Sequence, residues 1–348
     1  MKRFAAVLFV AALAHGAQVA QANVWKTAIE AGAPDPTQDK YDSELLQGDE
    51  HARLANTQGA SFKEVKNQVT LAATSYRAAG AIKPNEGEPW FRLGRMLYSF
   101  YFECADTINR TNRSILCDGR ANAPISRARA EEVIEAWDTF EARAPLDPRL
   151  TVGPFGDNEL LFRRAILHTK LATKQHLEAA ARDYEKILAR MDTSEGPGEN
   201  VIGNLAETYM MVGKLEESIE MYRQALRGAA DASTWYGFAV ALDRDERSDQ
   251  ALDVINSLGR EQRDTFHARV IKGDTFFVPE GEKFYYFALV DEALGLEDDA
   301  IGYWRQYINS GAHPQYQPRA RAHLDNLLRK KRVRTSLPIE PPWRGILR

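Results

Sequence analysis

Residues 199–225 read ENVIGNLAETYMMVGKLEESIEMYRQA, and residues 232–258 read ASTWYGFAVALDRDERSDQALDVINSL. They are one pattern written twice, with a shift of 33 residues. In the first copy Ile202, Leu205, Ala206 and Tyr209 recur at helical spacing, and Gly213 marks a turn. Ser218, Tyr222 and Ala225 then fall on a second helix. In the second copy Trp235, Phe238, Ala239 and Leu242 stand opposite Ala251, Ile255 and Leu258. Apolar residues three and four apart share one face of a helix, so each copy is a two-helix unit. One small residue per helix lets the backbones approach closely, and the large apolar residues fill the groove between the helices. A unit of this kind has an apolar face that it cannot cover alone, and stacked neighbours bury it.

Working outward, Ala72, Tyr76, Ala79 and Pro84 repeat the second half of the pattern, and Trp90, Leu93 and Gly94 open its first half. Leu167 and Leu171 precede Ala180, Tyr184 and Ile187 in a weaker copy. Phe287, Ala288 and Gly295 precede Ala300, Trp304 and Tyr307 in a further one. These residues resemble the tetratricopeptide-repeat family, whose signature is W-x₂-L-G-x₂-Y, then A-x₃-F, then P. The resemblance covers roughly residues 53–314. It implies an all-α fold: a right-handed α-α superhelical solenoid of about five units, binding proteins rather than performing catalysis. Trp90-x-x-Leu93-Gly94 lacks its partner helix at the usual distance. Residues near 104–125 intervene, and the partner is expected from about Ser126 to Ala144, ending before Pro145 and Pro148. A second insertion is expected near 264–281.

The ends follow from chain chemistry. Lys2 and Arg3 precede an apolar run, Phe4–Ala14, and Ala20-Gln21-Ala22 forms a small-x-small site. This predicts an export signal over residues 1–22 with cleavage before Asn23, in a bacterial periplasmic or secreted protein. Residues 23–52 are polar, contain Pro34 and Pro36, and are expected to be loosely ordered. Ser61 with Glu64 three residues on predicts a capping box. Pro318–Lys331 is expected to be a capping helix with the stripe Ala320, Leu324, Leu327 and Leu328 (315–332 as a domain), followed by a basic, Pro-containing tail over 333–348. Cys104 and Cys117 are the two cysteines, and an oxidising compartment predicts a disulfide between them.

The net charge is −4. Residues 1–22 carry +2 and residues 319–348 carry +7, leaving −13 between them. An acidic body argues against nucleic acid as a partner. The basic run Arg329, Lys330, Lys331, Arg332 and Arg334 is either a solvated tail or a surface for acidic lipid, polymer or a second copy. Catalytic motifs are missing: no H-E-x-x-H, G-x-S-x-G or phosphate loop occurs. His168 and His176 are eight apart, which is not one helix face. Asp243, Asp245 and Asp249 fall in a turn, with Ser248 where an EF-hand needs glycine, so a solvated turn is expected. No cofactor, metal site or catalytic residue is predicted.

The resemblance places the first helix of each pair on a concave groove. Carried onto this sequence, the groove residues are Arg92, Arg95 and Tyr98, then Asn200, Asn204 and Glu207, then Tyr236, and then Tyr285, Tyr286 and Glu292. Asn, Arg and Tyr suit a groove that hydrogen-bonds a peptide backbone and stacks on its side chains; Tyr236 and Tyr286 suit inter-helix packing equally. Some relatives grip a C-terminal carboxylate with a clamp. Asn204 fits one place of it, but Ser233 and Gly237 occupy the basic places, so that use is not expected. The loop Gly273–Gly281, with Phe276 and Phe277, reads as a cover over the core or as a lip for a partner. The function expected is an adaptor or scaffold of the cell envelope. The alternative is an accessory subunit that binds a cell-wall glycan or small ligand.

Overall fold

The computed structural model describes residues 37–103, 116, 125–150, 159–190, 199–228, 231–273, 275 and 277–336. The signal segment, both cysteines, Phe276 and most of the tail lie outside the described residues. Among those described there are thirteen α-helices and no strand. They are α1 (Gln38–Ala55), α2 (Phe62–Ile82), α3 (Glu88–Tyr101), α4 (Arg127–Arg143), α5 (Glu159–Leu171), α6 (Lys174–Arg190) and α7 (Glu199–Met211). There follow α8 (Leu215–Ala225), α9 (Ala232–Arg244), α10 (Ser248–Lys272), α11 (Lys283–Ala293), α12 (Glu297–Ser310) and α13 (Gln317–Ser336).

Successive helices pair as α1/α2, α3/α4, α5/α6, α7/α8, α9/α10 and α11/α12, and each pair packs mainly on the next; α13 closes the stack. This is an all-α solenoid of tetratricopeptide-like helix pairs. The pairing depends on the small residues. A Cβ at Gly94 would stand 2.5 Å from Trp137 Cδ1, and one at Gly237 would stand 2.7 Å from Tyr222 Cζ. Only a hydrogen lets α3 and α4, and α8 and α9, come that close. In return Trp137 and Phe140 are essentially buried. Burying a large apolar side chain stabilises by about 1.5–3 kcal/mol.

Two apolar cores result. One runs from Tyr41 to Leu205, and the other from Ala206 to Leu327, so the division falls within α7. Charged staples cross each. Arg164 of α5 is buried and binds both carboxylate oxygens of Asp183 at 2.7 Å, with Glu141 at 2.6 Å and Asp138 at 2.9 Å. Asp243 of α9 is fully buried and accepts from Tyr285 (2.7 Å), Arg319 (2.7 Å) and His323 (3.1 Å).

Several expectations change. Residues 38–52 are not loosely ordered: α1 lies on α2 and buries Tyr41 and Leu45, completing a pair that the polar composition concealed. Within the expected insertion at 264–281, residues up to Lys272 are helical. The helix α10 is two helices joined at Gly259 (φ 75°), and Phe266 in its second part is buried. Asp243 is not in a solvated turn, because α13 folds two basic side chains onto it. His168 and His176 sit on consecutive helices, α5 and α6, and their Nδ1 atoms meet at 2.8 Å. The closing helix extends to Ser336, so Arg334 belongs to it rather than to the tail expected from residue 333. The Ser61–Glu64 capping box and the helix capped by Ser126 form as expected.

Candidate binding groove

Two cavities lie along the first helices of successive pairs. The larger, about 800 Å³, is formed by α1, α2, α3, α4 and the start of α5. Its walls carry five arginines (Arg53, Arg92, Arg95, Arg149 and Arg163) against two acids, Asp49 and Glu88. Tyr76, Phe91, Phe100 and Trp137 supply the apolar surface. In a body that is acidic as a whole, this cluster of arginines is local and marked.

Most of the arginines are engaged. Arg92 donates to Glu88 at 2.7 Å and also pairs with Asp49. Arg149 reaches Glu88 at 2.6 Å and Asp147 at 2.8 Å, and its guanidinium lies 4.0 Å over the Phe91 ring. Arg53 pairs with Glu50 at 2.6 Å, and Arg163 pairs with Glu103. Arg95 differs: it is exposed, lines the cavity and has no ion-pair or hydrogen-bond partner among the described residues. Glu88 is partly buried, which would raise its pKa, but its bonds to Arg92 and Arg149 hold it below the usual range. With Glu50, Glu103 and Asp147 included, five acids face the five arginines, and the acids are taken up by the four paired ones.

The second cavity, about 350 Å³, is formed by α5–α11 with the segment before α11. Asn204 and Glu207 of α7 line it, with Tyr222, Ser233, Phe266, Phe277 and Tyr286. Oε2 of Glu207 accepts hydrogen bonds from the hydroxyls of Tyr222 and Tyr286, both at 2.7 Å. Burial raises the pKa of Glu207, the charge of Glu282 adds to this, and the two tyrosine bonds oppose it. At the rim, Arg269 is paired with Asp231 at 2.7 Å.

The sequence-predicted residues divide accordingly. Arg92 and Arg95 come together in the first cavity, and Asn204, Glu207 and Tyr286 in the second. Tyr98 lines neither. Its ring packs 5.4 Å from Trp137, Arg163 lies 4.9 Å over it, and burial pushes its hydroxyl up to about 12. Asn200 lies on α7, and its side chain is outside the described residues. Tyr236 is not a groove residue; it is fully buried, 4.9 Å from Phe266. Tyr285 is likewise fully buried, between Trp304 and Tyr307, with its hydroxyl on Asp243. Glu292 faces the closing helix: it accepts from Trp304 Nε1 at 2.9 Å and from His323 at 3.0 Å. Tyr236 fails because Phe266 of α10 covers it on α9, and Tyr285 and Glu292 fail because α12 and α13 cover their side of α11. Arg53, Arg149 and Arg163 were missed. Arg53 sits on the unrecognised α1, and the other two lie in the stretched part of the repeat, where the register is lost.

No family model matches the chain, and no curated protein matches it in sequence. Solved structures overlap in part. A chain of the APC/C hetero-tetramer Cut9-Hcn1 is 13% identical, with a TM-score of 0.37 over 86% of this chain and 50% of that one. This chain thus spans half the length of that neighbour. The P58(IPK) TPR domain is 9% identical, with a TM-score of 0.25 over 86% of this chain and 100% of that one. Yeast Tom70 is 14% identical, with a TM-score of 0.29 over 85% of this chain and 66% of that one. At these overlaps the fold rests on the chain's own helix pairs.

Proposed function

We propose that this chain is a non-catalytic interaction protein that holds an extended segment of a protein partner along its first helices, with the arginine-lined cavity anchoring an acidic side chain. The observation that carries this reading is Arg95, an unpaired cation at a cavity whose other charges are already satisfied. A carboxylate entering there gains a charge-assisted hydrogen bond and displaces no existing ion pair. Aromatic walls suit the apolar neighbours of that residue. The N-terminal signal pattern supports a place in the bacterial envelope, and sequencing the N-terminus of the mature protein should find Asn23.

The test is recovery of partners from native envelope extract by the purified protein and by Arg95→Glu. We expect a protein retained by the former and lost by the latter, at unchanged melting temperature, since Arg95 holds no contact in the fold. Equal retention by both would remove the cavity from the reading. Capture of glycan fragments and no protein would favour a ligand-binding accessory subunit instead.

A further inference from the structure

We infer that the Glu207 cavity is a second subsite on the same groove and takes a lysine side chain of the bound segment. This rests on the reading that the groove binds an extended peptide. Glu207 makes hydrogen bonds through one oxygen only. Oε2 is filled by the two tyrosine hydroxyls, while Oε1 has no hydrogen-bond partner among the described residues. No cation among the described residues forms an ion pair with it: Arg269 is held by Asp231, and Arg244 by Glu282. The free oxygen belongs to a half-buried residue that lines a cavity of about 350 Å³. Burial and the charge of Glu282 favour the neutral form of Glu207, and a ligand cation at Oε1 would favour the carboxylate through a charge-assisted hydrogen bond.

The chemistry selects lysine over arginine. A guanidinium binds a carboxylate best through both oxygens in a planar fork, and Oε2 is already doubly occupied. An ammonium is a compact point donor and needs only Oε1, with the Asn204 side chain and nearby hydroxyls as further acceptors. Phe266 and Phe277 offer apolar surface to the four-carbon stem.

The cavities are neighbours. Helix α5 contributes Arg163 to the first and Thr169 to the second. From α3 to α7 is two helix-to-helix steps of about 8–10 Å each. An extended chain advances about 3.3 Å per residue, so the acidic and lysine residues should lie roughly five to six apart.

The experiment is selection of displayed random peptides on the purified protein and on Glu207→Gln, each checked by circular dichroism and thermal melting. A peptide selected on the unaltered protein is then synthesised with lysine and with Nε-acetyl-lysine and measured by calorimetry. The unaltered protein should enrich an acidic residue and a lysine at that spacing. Glu207→Gln should keep the acidic preference and lose the lysine, and acetylation should weaken binding at least tenfold on the unaltered protein only. Asn204→Ala, which leaves the tyrosine bonds intact, should weaken lysine selection too. Acidic enrichment without lysine, or a lysine preference unchanged by Glu207→Gln, overturns the subsite and leaves the interaction reading standing. No enrichment on any protein overturns both.

Discussion

At the scale of single residues, histidines set how this molecule responds to pH. Burial alone would lower the pKa of His323, but its bonds to Asp243 and Glu292 outweigh that and raise it to about 9. Its ordinary value is 6.5. The stability it adds is therefore complete below that value and is lost as pH rises toward 9. His168 behaves oppositely: burial, with help from His176, lowers it to about 3. His267 and His313 are lowered to about 4, mainly by burial. The unfolded chain takes up those protons first, so stability falls as pH drops below 6.5. We expect the melting temperature to peak near neutrality and to decline on both sides. His323→Gln should flatten the alkaline limb, and His168→Asn should flatten part of the acid limb. A second residue-scale prediction concerns Gly94. Gly94→Ala sets a methyl group against Trp137, and such overpacking costs about 1–3 kcal/mol, readable as a lower urea midpoint.

At the scale of elements, Gly259 decides the path of α10. Its backbone lies in a region that is nearly closed to residues with a Cβ, while the space around it is open. The cost of Gly259→Ala is thus conformational, about 1–3 kcal/mol. The variant should undock the second part of the helix from Tyr236 and Tyr286, which near-ultraviolet circular dichroism would register. The sequence made the paired helices plain from Ser61 onward because their apolar faces recur with small residues at fixed places. It hid α1 because that helix is mostly polar and buries little more than Tyr41, Leu45 and Gly48. It hid Asp243 because composition reports the polarity of a turn and not what folds onto it from 76 residues away. Of the residues that line the two cavities, Arg92, Arg95, Asn204, Glu207 and Tyr286 were named from the resemblance, which puts the first helix of each pair on a groove. Tyr236, Tyr285 and Glu292 were named on the same ground and line neither cavity, because register gives a direction around the helix and says nothing of how many neighbours cover it.

At the scale of the whole molecule, the two cores predict two cooperative units that meet in α7. Hydrogen exchange should show α9 and α11 opening together with α13, apart from α2 and α4. The bond that closes the second unit is specific: the Tyr316 hydroxyl donates to the Met210 carbonyl at 2.7 Å, across 106 residues of chain. Tyr316→Phe removes this bond while the Met210 carbonyl keeps the Gly213 N–H, at a cost of about 0.5–1.5 kcal/mol. Protection in the last turn of α7 should fall more than in α5.

That long tie, with the Gln315 side chain on the Met211 carbonyl beside it, also gives the array a direction. A row of repeats that touch only their neighbours can fray from either end with equal ease. Here the segment before α13 is fastened back to the middle of the row, and Arg244 is enclosed between Tyr285 and Tyr316 behind it. Pulling on the C-terminal side must shear three helix pairs at once, whereas pulling on α1 peels pairs one at a time. Stretched between two attachment points, the molecule should yield in steps from its α1 side, where the arginine cavity is, while the Glu207 cavity keeps its shape until last.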